Sequence, residues 1–206
     1  MPGAKSSQRE RLRDLLAVSP LVRARELRAA GVAAPTIARA VNEGLVTRIA
    51  RGLYQRPDAE PDTAQTLAEA AKRVPKGVIA MLSALAFHGL TDQMPRKVWV
   101  AIGTSDWSPA PGYPPIRIVR FSDRYLKQGI EHHAIAGVSV PIYSAAKTLA
   151  DLFRNGRMID RSVAIEGLRA ALDHRSATPS AIAEAARAGG AWNIMRPYLE
   201  ALTSNG

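Results

Sequence analysis

The chain contains no cysteine, which excludes disulfides and thiolate metal sites. No apolar run approaches the roughly 20 residues that a membrane span requires. The opening stretch MPGAKSSQRERLRD is polar and basic and lacks the apolar segment of a secretory signal. These absences lead to the expectation of a cytoplasmic protein with no membrane partner. Catalytic signatures are also missing. The histidines His88, His132, His133 and His174 show no HExxH or similar zinc spacing, and neither GxxxxGK[ST] nor GxSxG occurs. No internal repeat or low-complexity tract is present.

The 206 residues are 47% hydrophobic, enough for a packed core in one or two domains. Lys+Arg number 28 against 18 Asp+Glu, a net charge of +10. That charge is uneven. Residues 1–56 hold 11 Lys/Arg and 4 Asp/Glu, so most of the excess sits in the first quarter of the chain. A polyanion-binding surface requires such a concentration.

Residues 35–55, PTIARAVNEGLVTRIARGLYQ, organise that quarter. Pro35 suits the first position of a helix, and Gly44 suits its end. Ile37, Ala38 and Val41 are expected on the inner face, with Thr36, Arg39, Ala40 and Glu43 outside. Residues 46–49 and 53–55 are β-prone and flank Ala50-Arg51-Gly52, a hairpin loop. Upstream, Ser7 and Glu10 have the spacing of a capping box, opening a helix that stops before Pro20. Leu21-Val22 can pair with the hairpin as a short strand. Residues 24–30 form a second helix closed by Gly31. Helix, strand, helix, turn, helix and hairpin make the order of a winged helix-turn-helix. A three-helix bundle with a decorative hairpin is the alternative, and the basic tip at Arg48 and Arg51 argues against it.

Residues 57–62, PDAEPD, read as a linker. Beyond it come helices over about 63–73 and 79–88, strands at 97–102 and 116–121, and a hairpin of 130–135 with 138–143. Helices over 145–154, from 160, from 179 to Gly189-Gly190, and over 192–202 follow. The fold class expected is α+β. A winged helix-turn-helix domain at 1–57 precedes an α+β C-terminal domain at 63–206, with a small sheet and a helical C-terminal part.

RGLYQRP at 51–57, SALAFHGLT at 83–91, VPIYSAAKTLADLFR at 140–154 with SVAIEGLRAAL at 162–172, and RPYLEAL at 196–202 occur in this order. Together they resemble the AbiEi-type antitoxins, the regulator-antitoxins of type IV toxin–antitoxin systems. The resemblance implies an N-terminal domain that represses its own operon by binding promoter repeats. It also implies a C-terminal domain that counteracts a nucleotidyltransferase-like toxin without holding it in a stable complex. One departure is Arg23, where Ser or Thr would more usually cap the helix before the turn.

The partner expected is therefore double-stranded promoter DNA. Thr36 and Arg39 are the first candidates for reading bases, Ala40 for touching a thymine methyl, and Asn42 for either reading adenine or capping the helix end. Arg48 and Arg51 should reach the backbone or minor groove. Arg9, Arg23, Arg25 and Lys5 are candidate phosphate contacts, and Glu43 should pair with an Arg or lie along the groove. No cofactor, metal or catalytic residue is expected. Asp106, Asp123 and Glu131 lack the context of nuclease carboxylates, and His88 reads as a hydrogen-bonded core residue. Trp192, Tyr198, Arg154, Arg157 and Arg161 are either a partner surface or ordinary core and solvated charge. The chain is expected as a monomer or weak dimer, with inverted repeats filled by two copies that cooperate on DNA. A winged-helix regulator whose second domain binds a ligand or protein is the alternative function.

Overall fold

The computed structural model describes residues 7–19, 21–58 and 63–204. The chain divides into two compact units. The first is Met1–Gln65 with Pro111–Tyr113, and the second is Thr66–Ala110 with Pro114–Gly206. The fold is α+β, with helices and two small sheets.

In the first unit, α1 (Gln8–Val18) opens on a capping box. Glu10 N–H donates to Ser7 Oγ at 3.2 Å, and Ser7 N–H donates to the Glu10 carboxylate at 2.6 Å. A strand β1 (Leu21–Arg23), helices α2 (Ala24–Ala29) and α3 (Ala34–Asn42), and the strands β2 (Thr47–Ala50) and β3 (Leu53–Gln55) follow. Leu12 and Leu16 of α1, Val22, Leu27, Val32, Ile37, Ala40 and Val46 form one core. Full burial of each leucine contributes roughly 1.5–3 kcal/mol. The strands form an antiparallel sheet in the order β1-β3-β2, with Val22 opposite Tyr54 and Arg48 opposite Tyr54 on the other side. This N-terminal arrangement fits a helix-turn-helix domain.

α3 ends as a glycine stop. Gly44 takes φ +70°, and Leu45 N–H donates to Ala40 O at 2.9 Å while Gly44 N–H donates to Val41 O at 3.1 Å. That six-residue closure needs a left-handed backbone, which glycine adopts without steric cost. The start of α2 is capped from one side only. Glu26 reaches back to Arg23 N–H at 2.8 Å, but a guanidinium has no acceptor to offer the helix N–H groups.

The second unit holds a sheet of order β6-β5-β4-β8-β7. Its strands are β4 (Val78–Ile79), β5 (Val98–Gly103), β6 (Ile116–Phe121), β7 (Ile130–Ile135) and β8 (Val138–Tyr143). β5 and β6 run parallel, as do β4 and β8, whereas β7 and β8 form a hairpin turned by Ala136-Gly137. Its helices are α4 (Thr63–Arg73, which begins in the first unit), α5 (Met81–Phe87), α6 (Asp123–Leu126), α7 (Ala145–Arg154), α8 (Arg161–Asp173), α9 (Pro179–Ala188) and α10 (Trp192–Thr203). α7 is central and touches α5, α8, α9 and α10. Among the described residues no helix is long and apolar enough to cross a membrane.

Two expectations change. Residues 79–88 are not one helix. Val78-Ile79 is the middle strand of the sheet, with Ile79 paired to both Val100 and Ile142, and α5 starts only at Met81. A strand covered on both faces is apolar throughout, so periodicity cannot separate it from a buried helix. The short helix α6 was not anticipated.

Candidate nucleic-acid interface

The inner face of α3 is Ile37 and Ala40, with Val41 half-buried beside them, an i, i+3, i+4 stripe. Ala40 is only 3% exposed and lies in the core, so it cannot touch a thymine methyl. The expected partition is corrected here. Ala38 and Ala40 exchange faces, because a residue three positions from Ile37 shares its side and a residue one position away does not. Pro35, Ala38, Arg39 and Asn42 are exposed, so Ala38 and not Ala40 is the small apolar side chain on the outer face. Asn42 stands in solvent one turn beyond Arg39 and Ala38.

Thr36 is half-buried, and its hydroxyl donates to Gln8 Oε1 at 2.8 Å. The same oxygen accepts Ala33 N–H at 2.9 Å, where α3 has no side-chain cap of its own. Gln8 therefore pins the start of α3 to the first turn of α1, and Thr36 retains only acceptor capacity toward a ligand. The other end of α3 is tied by Arg9, whose guanidinium lies 2.9 Å from the Glu43 carboxylate. This ion pair covers the one acid on the outer side of α3 and occupies a candidate phosphate contact. Arg11 donates to Ala30 O at 3.1 Å, holding the end of α2.

The hairpin presents Arg48 and Arg51, both exposed. The register shifts between Arg48 and Ala50, a bulge that sharpens the local twist, and Arg51-Gly52 form the turn with Gly52 at φ +70°. Arg39, Arg48 and Arg51 have no ion-pair partner among the described residues. Arg25 is exposed on α2, Arg23 is half-buried at its start, and Lys5 lies outside the described residues. Tyr54 packs against the core of the unit.

Residues 10–57 match the AbiEi antitoxin family of transcriptional regulators. The AbiEi match covers α1 from Glu10 onward through β3, including Arg23, Arg25, Thr36, Arg39, Asn42, Arg48 and Arg51 but not Arg9. The fold as a whole resembles that of the RV2827C protein from Mycobacterium tuberculosis, at 13% identity and a TM-score of 0.58, over 98% of this chain and 82% of that one. No curated protein matches.

Beyond the AbiEi segment, each carboxylate weighed as a nuclease candidate has a local partner. Asp106 accepts from Gly103 N–H at 2.8 Å, Asp123 pairs with Lys127 at 3.3 Å, and Glu131 with His133 at 3.2 Å. No group of three His, Cys, Asp or Glu is arranged to hold a metal among the described residues. His88 Nε2 lies 2.7 Å from Tyr143 O, to which it donates.

What sequence reasoning missed is a buried ionic network on α7. Lys147 and Asp151 are 2% and 0% exposed, and Lys147 Nζ lies 2.6 Å from both carboxylate oxygens. Arg154 adds a bond to Asp151 at 3.0 Å and one to Gly189 O at 3.1 Å. Both cations face aromatic rings. Lys147 lies 4.7 Å from the centre of Tyr143, and Arg154 lies 4.0 Å from that of Tyr125. Burial pushes the Asp151 carboxyl up and the Lys147 ammonium down, each opposed by the attraction of the other. Burial likewise pushes the Tyr143 phenol up. Arg154 is thus half-buried and tied inward to Asp151 and Gly189. Trp192 lies under Arg187 at 4.2 Å, and Tyr198 packs on Phe153 at 5.5 Å. An i, i+4 Lys–Asp pair inside an otherwise apolar helix was the available signal.

Proposed function

We propose that the chain is a DNA-binding autorepressor that doubles as an antitoxin. In this reading residues 1–57 are a winged helix-turn-helix, with α3 in the major groove and the β2–β3 hairpin as the wing. Arg39 grips a guanine edge, with Ala38 and Asn42 reading beside it, and Arg48 and Arg51 hold the backbone or minor groove. Arg25 and Arg23 supply phosphate contacts. Residues 63–206 are the part that counteracts a nucleotidyltransferase-like toxin. The observation that carries the reading is the AbiEi match over 10–57, coincident with the segment where α3 and the hairpin expose Arg39, Arg48 and Arg51. The absence of that match beyond residue 57 favours a second reading, a winged-helix regulator with no toxin whose second unit takes a ligand or a protein.

Fluorescence anisotropy tests the first step. The full chain is titrated with the duplex upstream of its own gene and with a scrambled duplex, over a range of salt. Preference for the native duplex at every salt concentration supports the regulator. Equal binding that vanishes at moderate salt reduces the basic surface to a polyanion patch and overturns it. Rescue of growth when the chain is co-expressed with the neighbouring reading frame separates the antitoxin from the toxin-free regulator.

A further inference from the structure

The loop after β5 carries Trp107 at 94% exposure, whereas the other two tryptophans are covered. Trp99 is 4% exposed, and Trp192 is half-buried beneath a guanidinium. A large ring left in water forfeits the most rewarding burial any side chain has. Slackness does not explain it, because the loop is fastened. Arg120 Nη1 is shared among the carbonyl oxygens of Gly103, Thr104 and Asp106 at 3.0, 3.0 and 2.8 Å, and its Nη2 donates to Ser108 Oγ at 3.1 Å. The Asp106 carboxylate closes the turn onto Gly103 N–H. The ring is held out by a built support.

Two concavities adjoin the ring. One, of about 560 Å³, is lined by Val74, Pro75, Lys76, Ile102 and Pro109 as well as Trp107. The other, of about 430 Å³, runs along Thr104, Ser105 and Arg120. Lys76 is exposed and makes no ion pair among the described residues. Arg120 is held by neutral oxygens, so its charge is not cancelled by its partners. The two linings together hold three cations, Arg73, Lys76 and Arg120, against one carboxylate, Asp106, so the surroundings of the ring carry a net positive charge.

We propose that Trp107 is a stacking platform for a base of single-stranded nucleic acid, with the phosphates on either side drawn to Lys76 and Arg120. A flat aromatic face accepts any base, and cations around it attract the backbone that passes over it. A duplex hides its base faces within its own stack, so the site selects unpaired strands. The site uses residues of the second unit only, none of them on α3 or the hairpin, and it stands whether or not those elements read an operator.

The test uses the full chain and a short oligothymidylate. Trp107 is the tryptophan that solvent and ligand reach, so stacking quenches its emission. Replacing Trp107 with Phe should abolish the quench and keep most of the affinity measured by anisotropy. Replacing it with Ala should weaken oligothymidylate binding roughly tenfold or more, and Lys76→Gln should flatten the salt dependence. Binding of duplex promoter DNA should be unchanged in Trp107→Ala, and oligothymidylate binding unchanged in Arg39→Ala. The proposal is overturned if wild-type emission does not respond to oligothymidylate, or if Trp107→Ala binds it as wild type does. Equal loss for single strand and duplex in Trp107→Ala also overturns it. So does a Trp107→Ala variant that loses a protein partner while oligothymidylate binding persists.

Discussion

Arg39, Arg48 and Arg51 stand in solvent on α3 and the hairpin of the first unit, whereas Lys147 and Arg154 of the second close around the buried carboxylate of Asp151. The same residue types serve opposite ends. In the first unit a cation left without an acidic partner is available to phosphate and base edges, and the one acid near it, Glu43, is masked by Arg9. In the second, charge has been removed from water, which costs several kcal/mol per ion unless partners and hydrogen bonds replace the lost hydration. Both Asp151 oxygens are therefore bonded, and each cation also faces aromatic rings. Net charge alone does not distinguish a residue that meets a partner from one that holds a fold. Burial and pairing do.

The sharpest way to break this contrast is to remove the buried acid. Asp151→Ala leaves two cations inside the second unit without their anion, at a cost of about 3–5 kcal/mol. The melting temperature should fall by roughly 10 °C or more, measured by calorimetry. Lys147→Met should be much milder, because Arg154 still pairs with Asp151 and a flexible apolar chain fills the space between Tyr143 and Phe121. If both variants melt alike, the network is not organised around Asp151. If duplex affinity falls in the folded Asp151→Ala protein, the charges of the two units are not independent and the contrast fails.

Two variants probe the solvent side. Arg39→Ala should cost the specific duplex roughly 1–3 kcal/mol and relax the preference at one base position, read by competition with single-base operator variants. Arg51→Ala should do something different. It should weaken specific and scrambled duplexes by a similar, smaller factor and reduce the slope of log affinity against log salt by about one. Reversal of these two patterns would exchange the roles of helix and hairpin.

Local signals carried the first unit well and the second unevenly. The capping box at Ser7, the stop at Gly44 and the turn at Arg51-Gly52 are short-range chemistry, and each is found where the residues point to it. The order of helices and strands through residue 55 follows from them. Ala38 and Ala40 were misplaced because two alanines give the periodicity no contrast, and the position of Ile37 had to decide. Val78-Ile79 was absorbed into a helix because only its long-range pairing with Val100 and Ile142 marks it as a strand. The bond that occupies the hydroxyl of Thr36, a candidate for reading bases, is not legible locally because its partner, Gln8, is 28 residues away in sequence. The Asp151 network escaped because an i, i+4 pair of opposite charges usually marks a solvated helix face.

Gln8 gives the smallest and most discriminating effect, since its uncharged side chain holds the start of α3. Its Oε1 accepts from both Ala33 N–H and the Thr36 hydroxyl. Gln8→Glu keeps an acceptor there and places a negative charge in the first turn of α1, where the helix dipole favours it, so stability should change by less than about 0.5 kcal/mol. Gln8→Ala removes both bonds and should cost about 1 kcal/mol by denaturant titration. Duplex binding separates positioning from contact. If Gln8 acts only by holding the start of α3, Gln8→Glu binds the specific duplex nearly as wild type does, and Gln8→Ala loses preference for it over the scrambled one. If Gln8→Glu is the weaker binder, its added charge repels phosphate, which puts position 8 beside the bound duplex, and one residue of the first unit serves the fold and the partner surface at once.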